Sequence, residues 1–344
     1  MNHPLPAGPG QPAPDPAEAV ARLAHASVLV VGDAMLDRYV HGTVTRMSPE
    51  VPGTPILTEE RELALPGGAA NVVRYLTGLG AAVAFISVVG DDPSGSDLTG
   101  LVGGQPNVEP WLLVEGGRTT TVKTRYLAAG RHLLRADREQ TTPIPERLAE
   151  RVLRIARDAM AATSLTVLSD YGKGVLGNGL AARLIAAARE TGRPVVAAPP
   201  RGAGADDLAA YAGADALVLC RADAVDPAVP PGTAAGAAHA AALRTAYDVG
   251  AVLLADAAGL SLATAEGGWT VTRPGGHPGE TAVDPMVALL AAALAVRIEP
   301  ALALRLVGLG MDIVAAKDGM AVVRAEDLLA ALAASGAAMA ADAG

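Results

Sequence analysis

The chain has 344 residues, 51% of them hydrophobic but only 3% aromatic, and a formal net charge of −9 with one cysteine. That length allows one large domain or two small ones, and an acid excess without a basic run argues against nucleic acid or an anionic membrane as the main partner. A lone cysteine, Cys220, excludes an internal disulfide and fits a reducing cytoplasm. The apolar stretches are broken by charge, Gly or Pro, so no membrane span is expected.

Residues 1–16, "MNHPLPAGPGQPAPDP", are Pro-rich and lack both a basic start and an apolar centre, so they predict a disordered tail, not a signal peptide. A short helix over 17–25 completes this leading segment, 1–25. "SVLVVGDAMLD" (27–37) is a β-branched run ending in Gly-Asp, a first strand. Residues 38–65 hold two extended pieces around "MSPEVPGTP", where the prolines oppose a long helix. "PGGAANVVRYLTGLGA" predicts a Gly turn opening a helix, and "AVAFISVVGDD" a second buried strand. "TTTVKTRYLAAGRHLLRADRE" (119–139) alternates, turns at Ala-Gly and runs on, as a hairpin does. Helices and strands then alternate: helix 145–162, strand 165–169, helix 178–191, strand 194–198, helix 205–212, strand 215–219, helix 234–248 and strand 251–254. A hairpin at 260–272 and helices at 285–296 and 300–316 follow. Such alternation predicts a parallel sheet covered on both faces. The extended pieces at 38–65 and 119–139 fall outside it and predict a small β lid.

Four polar clusters mark strand ends and turns in the first half. "GDAMLDRY" carries Asp33 and Asp37, and carboxylates suit sugar hydroxyls because each accepts several O–H donors. "PGGAAN" carries Gly67, Gly68 and Asn71, where glycines permit close backbone approach to a ligand. Lys123, Arg125 and Arg135 lie in the hairpin and suit a phosphate. "SLTVLSDYGKGVLGNG" (164–179) ends an apolar run in Asp170 and Lys173, either as an ordinary strand-to-helix turn or as a ligand site at the carboxyl end of a strand. The expectation is that Asp33, Gly67, Gly68, Asn71 and Asp170 surround one cavity beneath the lid.

Five segments in order, "VLVVGDAMLDRYVHG", "RMSPEVPGTPI", "LPGGAANVVRYLTGLGA", "RTTTVKTRYLAAGRHLLRADRE" and "VLSDYGKGVL", resemble the ribokinase-like (PfkB) carbohydrate kinases, and within them the heptose 7-phosphate kinase branch. The resemblance covers roughly 26–334, leaving 335–344 as a tail. It implies an α/β fold, a ribokinase-like αβα sandwich with a mostly parallel sheet and a small β-sheet lid, often dimeric through that lid. It implies ATP- and Mg²⁺-dependent phosphorylation of a sugar or sugar phosphate, at the anomeric hydroxyl of a heptose 7-phosphate in that branch. It also implies that Asp33, Asp37, Gly67, Gly68 and Asn71 hold the sugar, that Lys123, Arg125, Arg135 and Lys173 hold its phosphate, and that Asp170 borders both.

The second half departs from the family's wording. Where the family has Gly-Ala-Gly-Asp, this chain has "TAVD": Asp284 falls on the base, while Thr281 and Val283 replace the glycines. Asp before Pro285 is also an ordinary helix cap. The family's Asp-Pro-Lys becomes "APPRG" with Ala198 at the Asp, its Asn-x-x-Glu becomes Cys220 and Asp223, and its Gly-Glu turn becomes Asp256 and Ala257 with Gly259 kept. Lys317 and Gly319 remain near the expected adenine end. Cys220 suits a buried apolar role, and no His or Cys spacing predicts a metal centre.

Two readings follow: a sugar-phosphate kinase with Asp284 as base toward the sugar hydroxyl, and an impaired pseudokinase that binds sugar phosphate as a sensor or dimer partner. A nicotinamide enzyme is not expected, because the first strand ends in Gly-Asp-Ala-Met and lacks G-x-G-x-x-G. A bifunctional heptose enzyme is not expected either, since no second domain follows residue 334 here.

Overall fold

A computed structural model describes residues 15–220, 233–272, 283–317 and 321–341. The chain runs α1 (Pro16–Leu23), β1 (Ser27–Gly32), β2 (Ala34–Met47), β3 (Pro55–Gly68), α2 (Ala69–Gly78), β4 (Ala82–Gly90), α3 (Pro93–Gly103), β5 (Val108–Glu115), β6 (Val122–Ala128) and β7 (Arg131–Arg138). It continues through α4 (Glu146–Ala162), β8 (Leu165–Ser169), α5 (Leu180–Glu190), β9 (Val195–Ala198), α6 (Ala205–Ala209), β10 (Ala216–Cys220) and α7 (Thr233–Ala246). The last elements are β11 (Ala251–Asp256), β12 (Gly259–Ala263), β13 (Gly268–Thr272), α8 (Val283–Ala295), α9 (Pro300–Ala316) and α10 (Ala325–Ala341).

A nine-stranded sheet has the order β13-β12-β11-β10-β9-β8-β1-β4-β5 among the described residues. From β5 to β11 every pairing is parallel, and β12 and β13 add an antiparallel edge. The central strands are buried along their whole length because helices cover both faces, as parallel sheets require. The period of two decides which layer each side chain enters. Val28 and Val30 pack with α1, α2, α8 and α9, while Leu29 and Val31 pack with α4, α5 and α6. α8 is buried on every side from Asp284 to Ala293, which its Ala- and Leu-rich sequence allows.

The lid is a separate four-stranded sheet, β3-β2-β6-β7. β6–β7 is the expected hairpin, the two extended pieces of 38–65 pair antiparallel as β2–β3, and β2 pairs with β6 in parallel. The sequence reading left 92–118 without elements; α3 and β5 occupy it. α3 is rich in Gly and Ser, poor helix formers, and is fixed by its cap instead: the Asp92 carboxylate accepts from the Gly95 N–H at 2.8 Å with Pro93 in the first turn. Other boundaries also differ: residues 34–37, read as the end of the first strand, belong to the lid strand β2. The helix read over 205–212 is only Ala205–Ala209, and α10 runs to Ala341, past the expected boundary at 334. Of the predicted tail, 1–16, the first 14 residues lie outside the described residues, while Asp15 caps α1 and Pro16 opens it.

Candidate active site

The site grows from the carboxyl end of β8. Strand β8 ends at Ser169, and the next six residues form a tight loop whose backbone amides turn inward. The Asp33 carboxylate collects three of them: Tyr171 N–H and Lys173 N–H on Oδ2 and Val175 N–H on Oδ1, each at 2.9 Å. Gly172 and Gly174 sit at positive φ (66° and 95°), and a Cβ on Gly174 would stand 2.2 Å from the Thr142 carbonyl oxygen. Arg118, buried, donates to the carbonyls of Lys173 (2.6 Å) and Thr142 (3.1 Å). The segment "DYGKG" is therefore a loop wrapped around a buried carboxylate.

Asp33, expected to hold a sugar, is 1% exposed and its carboxylate is engaged by the loop. A carboxylate holding three N–H donors has little acceptor capacity left. Asp170 lies beside Asp33, as expected, but it too is internally bonded: Gly172 N–H donates to Oδ1 at 2.7 Å and the Tyr211 hydroxyl to Oδ2 at 2.5 Å. Burial, reinforced by the negative charge of Asp33, pushes the Asp170 carboxyl up to about 7.

A second carboxylate faces the same loop. Asp284 lies in the first turn of α8 and is 4% exposed. Its hydrogen bonds run across the molecule: Asn71 Nδ2 donates to Oδ2 at 2.6 Å, and the Tyr171 hydroxyl donates to Oδ1. Asn71 is oriented in turn by Arg74, whose Nη1 donates to Asn71 Oδ1 at 2.9 Å. Burial drives the Asp284 carboxyl up to about 7, with the two hydrogen bonds pulling the other way. Burial likewise drives the Tyr171 phenol upward, assisted by Asp284, so the phenol stays a donor.

Asp37 completes the cluster from the lid. Arg125 Nη1 donates to its Oδ1 at 2.5 Å, and the Arg125 guanidinium lies 5.1 Å above the Tyr39 ring. Gly67 has no side chain for a steric reason: a Cβ there would stand 2.1 Å from Asp37 Oδ2 and 3.2 Å from Met35 Cγ. Gly67→Ala is expected to destabilise the fold by about 1–3 kcal/mol, the usual range for overpacking. Urea unfolding reads this, and an unchanged midpoint would show that Asp37 moves aside freely. Gly68 sits at φ 59° just before α2, where its amide turn passes the chain to Asn71.

The lid cations share one face, but each already has a carboxylate. Lys123 Nζ lies 2.9 Å from Asp137 and 3.8 Å from Glu139, Arg135 Nε 3.1 Å from Asp137, and Lys173 Nζ 2.8 Å from Glu139.

On the nucleotide side, Asp223, Thr281 and Gly319 lie outside the described residues. Val283 lines a cleft at the carboxyl ends of β9 and β10 with Pro199, Pro200, Arg201 and Cys220. Cys220 is buried, as its apolar reading required. Gly259 closes the β11–β12 turn, where Asp256 Oδ1 accepts from Ala258 N–H (2.8 Å) and Gly259 N–H (3.1 Å). Lys317 ends α9 and pairs with Asp327 of α10 at 2.8 Å. The sequence singles out Asn71 and Asp284, which bond each other directly, but assigns no role to Tyr171, which holds Asp284 from the other side, or to Arg74, which orients Asn71. The only signal for Tyr171 was its place inside the strand-end motif.

Residues 25–295 match the model of the pfkB family carbohydrate kinases. The chain belongs to the pfkB family of carbohydrate kinases. Bifunctional protein HldE of Acidiphilium cryptum is 53% identical over 327 residues, covering 91% of this chain and 65% of that protein. Bifunctional protein HldE of Paramagnetospirillum magneticum is 39% identical over 330 residues, covering 92% and 65%. The chain therefore spans about 65% of the length of these relatives. Phosphofructokinase-2 from Escherichia coli shares the fold at a TM-score of 0.70 and 16% identity, over 90% of this chain and 98% of that one. A carbohydrate kinase from Agrobacterium tumefaciens does so at 0.65 and 19%, over 90% and 97%. The ribokinase-like α/β architecture expected from the sequence is the one observed. The likeness to the HldE proteins extends across nearly the whole chain, nucleotide half included, and does not favour the pseudokinase reading. Among the described residues no helix is long and apolar enough to cross a membrane.

Proposed function

We propose that this chain phosphorylates a sugar phosphate from ATP, with a heptose 7-phosphate as acceptor and its anomeric hydroxyl as the site of transfer. The observation that carries this reading is Asp284. A carboxylate at the start of a helix, held by Asn71 and Tyr171 and poised near neutral pH, has the properties of a general base for a hydroxyl. Each of its oxygens keeps a lone pair for the incoming O–H after the bond it already accepts. Asp37 and Asn71 flank the base and would orient the neighbouring hydroxyls. Lys173, Lys123, Arg125 and Arg135 would take the existing phosphate, exchanging carboxylate partners for it.

Membership of a carbohydrate kinase family implies a nucleotide donor and a divalent cation. When bound, they supply the transferable phosphoryl group and neutralise its charge. Among the described residues, Arg201 and the amino end of α8, where amides and dipole favour an anion, border a narrow cleft beside Val283 that has room for little more than a water molecule. Mg²⁺ is commonly held by one or two carboxylates plus the phosphates themselves, and so needs no dedicated protein cage. A cytoplasmic location and a homodimer through the lid belong to the same reading. Leu133 and Leu134, 43% and 61% exposed on β7, supply the apolar surface for pairing two lids.

The test is purified protein with ATP–Mg²⁺ and heptose 7-phosphate. ADP release that depends on the sugar phosphate is expected. Lys173→Ala should raise KM for that substrate about 10- to 100-fold, the value of one charge-assisted bond, and should barely affect the unphosphorylated heptose. No ADP release with any sugar phosphate would overturn the reading.

A further inference from the structure

Besides Asn71, Asp284 is held by a residue that neither glycine loops nor sugar contacts call for. Tyr171 is gripped at both ends. Its backbone N–H donates to Asp33 at 2.9 Å, and its hydroxyl donates to Asp284 Oδ1. Asn71 Nδ2 holds the other oxygen, and Arg74 fixes the orientation of the Asn71 amide. A carboxylate bonded through one oxygen can still rotate about its last torsion, which is broad for Asp. Donors on both oxygens, from α2 and from the β8 loop, remove that freedom and leave the remaining lone pairs pointing in fixed directions.

We infer that Tyr171 is a positioning residue for the transfer: its phenol locks the plane of the Asp284 carboxylate and ties the base to the loop folded around Asp33. The inference rests on the kinase reading above. The groups that face Asp284 are Asn71, Arg74 and Tyr75 of α2, Asp37 of β2, and Tyr171 itself. Of these, Tyr171 and Asn71 hydrogen-bond to its charged form, Arg74 favours it through charge, and Asp37 opposes it. Removing the Tyr171 hydroxyl therefore makes the carboxylate harder to ionise.

The experiment is Tyr171→Phe, which keeps the ring and deletes one hydroxyl, assayed with ATP–Mg²⁺ and heptose 7-phosphate across the neutral range. The expected result has three parts: kcat falls by about 10- to 100-fold, KM for ATP stays within about twofold, and the acid limb of the kcat profile moves up by about one pH unit. As a second variant, 3-fluorotyrosine placed at position 171 makes the phenol a stronger donor in the same shape and should move that limb downward. Opposite shifts from the two changes support a specific hydrogen bond, because general loosening of the loop cannot reverse the sign. An acid limb unmoved by both changes in an active enzyme overturns the inference while leaving the kinase reading intact. Wild-type protein without turnover overturns both.

Discussion

Asp284→Asn is expected to remove nearly all turnover, lowering kcat by about 10²- to 10⁴-fold while leaving sugar-phosphate binding largely intact. The amide cannot accept the hydroxyl proton, yet it matches the carboxylate in size, so the packing around α8 survives. Its oxygen can still accept from Tyr171, but its NH₂ would face the Asn71 NH₂, whose orientation Arg74 fixes. A modest stability cost from that donor pair is set against the removal of a buried charge. The pH dependence separates the two effects. Burial pushes the Asp284 and Asp170 carboxyls up to about 7 in the folded chain, from an ordinary carboxylate value of 3.8. At these two groups the folded state binds more protons than the unfolded state between those values, so their contribution to stability is fully present below about pH 4 and is lost as pH rises toward about 7, against the opposite trend from Asp92, Asp137 and Asp327, whose carboxyls the fold holds low. In Asp284→Asn that decline should shrink, because only Asp170 remains to cause it. Urea midpoints measured from acid to neutral pH read this directly. An equal decline in both proteins would show that Asp284 is not the group responsible, and undiminished kcat in the variant would remove it as the base.

Asp33→Ala should be the most destabilising change in the site. Its carboxylate accepts the N–H groups of Tyr171, Lys173 and Val175. Each buried donor left without a partner costs about 1–3 kcal/mol, so several kcal/mol are expected, a large part of the about 5–15 kcal/mol that holds a typical domain together. Asp33→Asn should be nearly as costly, because its NH₂ would be turned toward N–H donors. Loss of the Asp33 charge should also let the Asp170 carboxyl fall back from about 7, since that neighbour is one cause of its elevation. Denaturant unfolding, together with hydrogen exchange at the three amides, checks the argument. A loss below about 1 kcal/mol with protected amides would mean that Arg118 and the glycines hold the loop unaided.

The sequence by itself determined the architecture. Runs such as "SVLVV" and "LTVLS", separated by helical stretches, can be buried only as parallel strands between two helical layers, and the alternating, Pro-broken pieces at 38–65 and 119–139 cannot join that pattern and so form the lid. These are properties of local periodicity, and local periodicity is written in the chain. The sequence also nominated Asp33, Asn71, Asp170 and Asp284. What it could not assign was which carboxylate is spent on structure and which stays available for chemistry. Asp33 and Asp284 are 251 positions apart, and the residue type is identical. Only the tertiary structure shows that three backbone amides converge on the first, while a phenol and an amide hold the second and leave lone pairs open. The same holds for Tyr171, Arg74 and the carboxylates facing the lid cations. Their roles depend on donors supplied by distant elements, and the pairing of a donor with an acceptor is decided by packing, to which a one-dimensional pattern is blind.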